Sequence, residues 1–205
     1  MAISYPLALP ATLGGRSVSI RGISAVGMSM SPFSFSQQVY VHQGDRWEAD
    51  VVLEPMKRAD AEPWVAWALS LNGREGTFLL GPDPINTTPR GTWAGTPLVN
   101  GASQTGKTLV VDGFGASATV KAGDWFQLGS ASGAQLYKVV QDGTASGGGA
   151  LSIEIWPRLR TSPADNAPLT STSPKGVFRL ARNQSEWSLE LAQIYGLQFS
   201  ALEAL

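Results

Sequence analysis

The stretch NGASQTGKTLVV, residues 100–111, contains GASQTGKT, which fits the phosphate-binding pattern G-x-x-x-x-G-K-[ST] at every position. In a working phosphate loop, Lys107 would reach the phosphates. A helix would also begin at Lys107-Thr108, so that its free N–H groups and dipole face the anion. The neighbouring residues oppose that construction. Leu109, Val110 and Val111 prefer a strand, and Gly113 and Gly115 would end a helix within two turns. The preceding GTWAGTPLVNG does not read as a buried strand, and Asp112 follows the motif too closely to close a separate strand on the metal side. The expectation is a hairpin, with SQTGK as its turn, TLVVDGF as its second strand and Lys107 facing water.

Other chemistry is restricted by what the chain contains. There is no cysteine, which removes disulfides, thiolate metal sites and a cysteine nucleophile. His42 is the single histidine, so a multi-histidine zinc site cannot be built and any Ser-His-Asp triad would depend on that residue. It stands in QQVYVHQGDRW, on a strand before a Gly-Asp turn, with no nucleophile elbow anywhere to serve. A strand-end histidine at a surface or subunit contact is expected. Glu48 and Asp50 share one side of a strand opposite Trp47 and Ala49. Paired carboxylates can cleave glycosides, but a solvated strand face is the expected role here. Among the seven tryptophans, Trp47, Trp64, Trp67, Trp125, Trp156 and Trp187 sit on the apolar phase of strands or a helix, which predicts core packing. Trp93, in the connector RGTWAGT, is expected to be exposed and is the candidate for stacking on a sugar. No catalytic, cofactor-binding or metal-binding residue is assigned, and the chain is read as a non-enzyme.

The elements that would position these residues read as mainly β. Glycines and prolines punctuate short runs rich in Val, Ile, Phe and Trp. Residues 17–24 alternate, as do Trp47, Ala49, Val51 and Leu53 on one strand face. Trp187, Leu189 and Leu191, then Leu197, Phe199 and Ala201, mark the last two strands. One helix is predicted over residues 58–73, with Trp64, Trp67, Ala68 and Leu71 at helical spacing, Pro63 in its first turn, and Asn72-Gly73 as its left-handed stop. Pro/Thr/Gly-rich connectors span residues 81–96 and 161–174. Between them, strands at 107–111, 124–128, 136–140 and 151–156 suggest a small barrel or compact sheet pair. The simplest organisation is an outer domain made from residues 1–91 and 174–205, with residues 92–173 inserted as a small β-barrel module and its linkers.

The formal charge is only −1, with no long run of one sign, which argues against a phosphate-gripping or membrane-surface protein. No stretch approaches the roughly 20 apolar residues of a membrane helix, and the N-terminus lacks an export signal. Synthesis in the cytoplasm is expected.

Residues 35–83, FSQQVYVHQGDRWEADVVLEPMKRADAEPWVAWALSLNGREGTFLLGPD, resemble tail proteins of long-tailed bacteriophages, in particular the distal tail proteins that close the tail tube. KAGDWFQLGS, LYKVV, IWPRLR and PKGVFRLA are similar to the same family's inserted module and its return to the main domain. The resemblance implies a tail-tube-like β-sandwich with one flanking helix and an inserted OB-like barrel. It also implies a six-fold homo-oligomeric ring in the virion tail through which DNA passes without specific binding. The implied neighbours are the tail tube protein, the tape measure and the tail-tip or hub proteins. No cofactor and no membrane insertion are implied. Two other readings stand beside it: a tube or baseplate hub protein elsewhere in the tail, and a carbohydrate-binding module that holds a host surface glycan through the insert and Trp93.

Overall fold

The computed structural model describes residues 3–11, 16–82, 88–189 and 194–205. The first part of the chain supplies β1 (Arg16–Ile23), β2 (Val26–Met30), β3 (Gln37–Val41), β4 (Arg46–Leu53), β5 (Met56–Lys57), α1 (Arg58–Ser70) and β6 (Phe78–Leu80). Then follow β7 (Gly95–Val99), β8 (Gly106–Phe114), β9 (Thr119–Val120), β10 (Trp125–Leu128), β11 (Gln135–Val139), β12 (Gly143–Thr144), β13 (Leu151–Leu159) and β14 (Leu169–Thr170). The chain ends with β15 (Gly176–Leu180), β16 (Trp187–Leu189) and β17 (Ile194–Glu203). The protein is mainly β, with one α-helix among the described residues.

The flanking segments build one sheet in the order β1-β4-β17-β15-β6, and the start of β17 also pairs with β5 and β16. As the alternation requires, Trp47, Ala49, Val51 and Leu53 of β4 are all buried on one face. Helix α1 covers that face. Trp64, Trp67 and Leu71 are buried against it, and Trp67 stacks edge-on with Trp64, at 5.6 Å, and with Phe78, at 5.0 Å. Burial of this kind contributes about 1.5–3 kcal/mol per large apolar side chain. Asn72 and Gly73 both adopt positive φ, and a Cβ on Gly73 would lie 3.0 Å from the Asn183 backbone, so the predicted stop is built as a left-handed turn in tight quarters. Pro63 differs from expectation. It is the sixth residue of α1, beyond the first turn, and costs the helix one backbone hydrogen bond that the buried aromatic face offsets.

Residues 95–170 form a separate sheet, β14-β10-β11-β13-β8-β7, which curls until its ends meet. Leu98 bridges Pro168, Val99 N–H donates to Ala167 O at 3.0 Å and Asn166 N–H to Val99 O at 2.9 Å, making a nearly closed six-strand barrel. Its interior is filled by Leu109, Val111, Phe126, Tyr137, Val139, Ile153 and Ile155. Strand β14 lies inside the segment 161–174 expected to be a connector, and β7 overlaps the end of the other; contrary to expectation, GTWAGTPLVNG does supply a strand before the glycine-rich turn, with Val99 buried. Pro97 in β7 is tolerated because the register shifts between Gly95 and Leu98, where no ladder N–H is required. Part of the first connector, residues 83–87, and the expected strand position Leu191 lie outside the described residues.

The barrel leaves and rejoins the outer sheet at adjacent points, since Leu80 of β6 is the register partner of Gly176 of β15. It also packs on that sheet. Trp47 lies 4.2 Å from Trp156 and 4.6 Å from Trp125, ring to ring, and its indole N–H donates to Leu136 O at 2.9 Å. Gly22 makes room for the Trp156 ring, because a Cβ there would approach it to 2.6 Å.

Candidate functional site

The residues singled out for chemistry take structural places. GASQTGKT forms the hairpin between β7 and β8. Gly106 opens β8 at positive φ, Gln104 ties the turn by donating to Asn100 O and accepting from Val110 N–H, and Lys107 is exposed on a strand. No helix starts there, so the motif lacks the anion-binding N-terminus that its pattern would need. His42 is exposed just after β3, and its backbone N–H donates to Ala25 O. Glu48 and Asp50 point outward as expected, but as members of a charged ladder. Arg21 reaches Asp50 at 2.6 Å, Arg46 reaches Glu48 at 2.8 Å, and Ser200 Oγ–H donates to Asp50 at 2.6 Å.

The tryptophan expectation needs a correction. Trp93 is only 7 % exposed and stacks inside the barrel with Phe114 and Phe126. Its indole N–H donates to Asp124 at 2.9 Å. Asp124 is itself buried and accepts the backbone N–H groups of Arg90, Gly91 and Lys121 as well. A buried carboxylate gathers the connector and pulls the indole inward, which removes Trp93 from any role in stacking on a sugar. The indole that faces outward is Trp187, at 41 % exposure.

Two surface features stand out. The first is an arm made of β2 and β3. The pairing of β1 with β4 ends at Ile23–Arg46, and the ribbon continues beyond it as Val26↔Val41 to Met30↔Gln37. This register places Val26, Met28, Met30, Val39 and Val41 on one face of the ribbon, with Phe33 and Phe35 in the turn. All seven are exposed, Phe33 at 95 % and Phe35 at 70 %. The arm is thus an amphipathic ribbon whose apolar face has no opposing layer among the described residues. No Asp, Glu, Lys or Arg occurs between Arg21 and Asp45, so the usual charged guards of a free strand edge are missing. That charge-free interval was a readable signal for the arm.

The second feature is a cleft of about 320 Å³. Strand β17 is paired with β15 over Ala201–Glu203 and with β16 over Tyr195–Leu197; Ala181 N–H still donates to Ser200 O at 2.8 Å, and residues 182–186 then loop away from the strand. The gap opens beside Gln198–Ser200 onto Trp64, Trp67 and Phe199, with Val52 and Trp187 among its exposed lining residues. The indole nitrogens of Trp64 and Trp67 are buried without a hydrogen-bond partner, an arrangement that costs about 1–3 kcal/mol per donor.

No helix among the described residues is long and apolar enough to cross a membrane. No family model matches the chain, and no curated protein matches it significantly.

Proposed function

We propose that the chain is a structural ring subunit of a phage tail, a non-enzymatic protein at the distal end of the tail tube that joins tube to tail tip. The observation that carries this reading is the arm, an amphipathic ribbon with its apolar face open to water. Exposed apolar patches on this scale mark interaction sites, and a second surface would cover this one. Repeated head to tail between identical subunits, one such contact generates a closed ring where the rotation closes. The blocks that resemble distal tail proteins supply the kind of ring. On this reading the outer sheet with α1 is the tail-tube-like ring domain, the barrel is the OB-like insert on the outside, and six copies surround a channel. The tube protein, tape measure and hub proteins are its neighbours. DNA crosses the channel without being held, in keeping with a chain of charge −1.

The test is the assembly state. Light scattering after gel filtration, with negative-stain microscopy, should find rings with a central hole, either from the protein alone or after mixing with its tube protein. Duplex DNA should bind weakly at physiological salt. A monomer under all these conditions, or tight and strongly salt-dependent DNA binding, refutes the proposal.

A further inference from the structure

We infer that the tip of the arm, Phe33 and Phe35, inserts into the aromatic cleft of the next copy of the chain. This inference rests on the ring reading and specifies its contact. Four observations carry it.

The knob and the hole lie at opposite ends of one strand pair. The arm leaves β1 and β4 at Ile23 and Arg46, whereas the cleft opens beside Asp50–Leu53 at the other end of β4. At about 3.3 Å per residue these ends are on the order of 18 Å apart, with the arm continuing the ribbon past its own end. A knob and hole so placed on one chain form a head-to-tail contact, the kind that builds a ring when the rotation between copies closes.

The volumes agree. A cavity of about 150 Å³ holds one benzene, so a cleft of about 320 Å³ has room for two phenyl rings, and the arm's turn presents two.

The area points the same way. Phe33 and Phe35 bring about 150–250 Å² each, and five exposed Val and Met side chains of the ribbon add to them. A stable interface uses about 800 Å² per partner.

The polar chemistry also fits. The arm carries no ionised side chain to strand against Trp64, Trp67 and Phe199, and the polar and charged residues that also line the cleft, Asp50, Arg182, Gln184 and Glu186 among them, can meet the backbone N–H and C=O groups of its turn. Around the opening, Val52 and Trp187 are exposed apolar surface on which the ribbon's Val/Met face can rest.

The absence of cysteine makes a clean test possible. Ser34→Cys places a thiol at the arm's tip, and Ser185→Cys places one on a residue that lines the cleft. Mixed under mild oxidation, the two variants should form a disulfide-linked pair. Ser34→Cys mixed with Ser132→Cys, on the barrel surface, should not. The double variant Ser34→Cys/Ser185→Cys should give a ladder of covalent oligomers on a non-reducing gel. In parallel, Phe33→Ser/Phe35→Ser should abolish assembly while circular dichroism and melting temperature stay unchanged, because both side chains are solvent-exposed in the single chain. Rings that persist in Phe33→Ser/Phe35→Ser, or rings of wild type that yield no selective Ser34–Ser185 cross-link, overturn this contact and leave the ring reading standing. A wild type that never assembles overturns both.

Discussion

Protonation of Glu203 should set how firmly the barrel is seated on the outer sheet. Glu203 ends β17 with its side chain buried, accepts the Trp47 backbone N–H at 2.9 Å and is ion-paired with Arg160, which follows β13 and lies over the Tyr137 ring. Burial is the dominant influence and pushes its carboxyl from 4.5 to about 7, against the opposing pull of Arg160 and the Trp47 N–H. A folded-state value above the unfolded one means that the native protein binds the proton more tightly. The stability contributed is therefore full below about pH 4.5, falls as pH rises to about 7, and is lost above it. At 1.36 kcal/mol per pH unit, that interval is worth about 3 kcal/mol. Glu203→Gln keeps an acceptor for Trp47 N–H and is neutral throughout, so it should lack this slope. Urea unfolding of both proteins near pH 4.5, 6 and 8, followed by tryptophan fluorescence with Trp47, Trp125 and Trp156 as reporters of the junction, should show the wild type losing about 3 kcal/mol relative to the variant. Parallel pH profiles for the two proteins would refute the reasoning.

Asp124→Ala should destabilise the barrel by at least about 3 kcal/mol, because it strips four donors of one buried acceptor; calorimetry of the variant checks this, and the Trp93 emission should shift to the red as its indole loosens. Trp67→Ala empties an aromatic site between Trp64, Phe78 and Phe199 and should cost about 3–5 kcal/mol, read as a fall in denaturation midpoint; an unchanged midpoint would mean that the helix does not anchor the sheet. Lys107→Ala should alter neither stability nor assembly, and titration calorimetry with ATP and magnesium should give no heat in either protein; micromolar binding lost in the variant would restore the phosphate-loop reading.

Periodicity alone determined much of the local structure. The alternation of Trp47, Ala49, Val51 and Leu53 defined β4 and its buried face, the spacing of Trp64, Trp67 and Leu71 defined α1, and the run after GASQTGKT excluded a phosphate loop. All of these depend on where successive side chains project from a strand or helix, which neighbours in sequence decide. Whether an apolar face meets another layer is decided by distant residues. Val26, Met28 and Met30 alternate as well as the residues of β4, yet one face is core and the other open water, because only β4 has α1 opposite it. Trp93 and Trp187 exchanged their expected environments for the same reason: Asp124, 31 positions along the chain from Trp93, draws that indole inward, while the loop at residues 182–186 opens a gap beside Trp187. Barrel closure through Leu98 and Pro168 and the pairing of Arg160 with Glu203 likewise join segments with no local signature. Tertiary structure decided these because a contact between remote segments is a property of the whole packing, and a pattern of side-chain directions cannot specify which surface will be there to meet it.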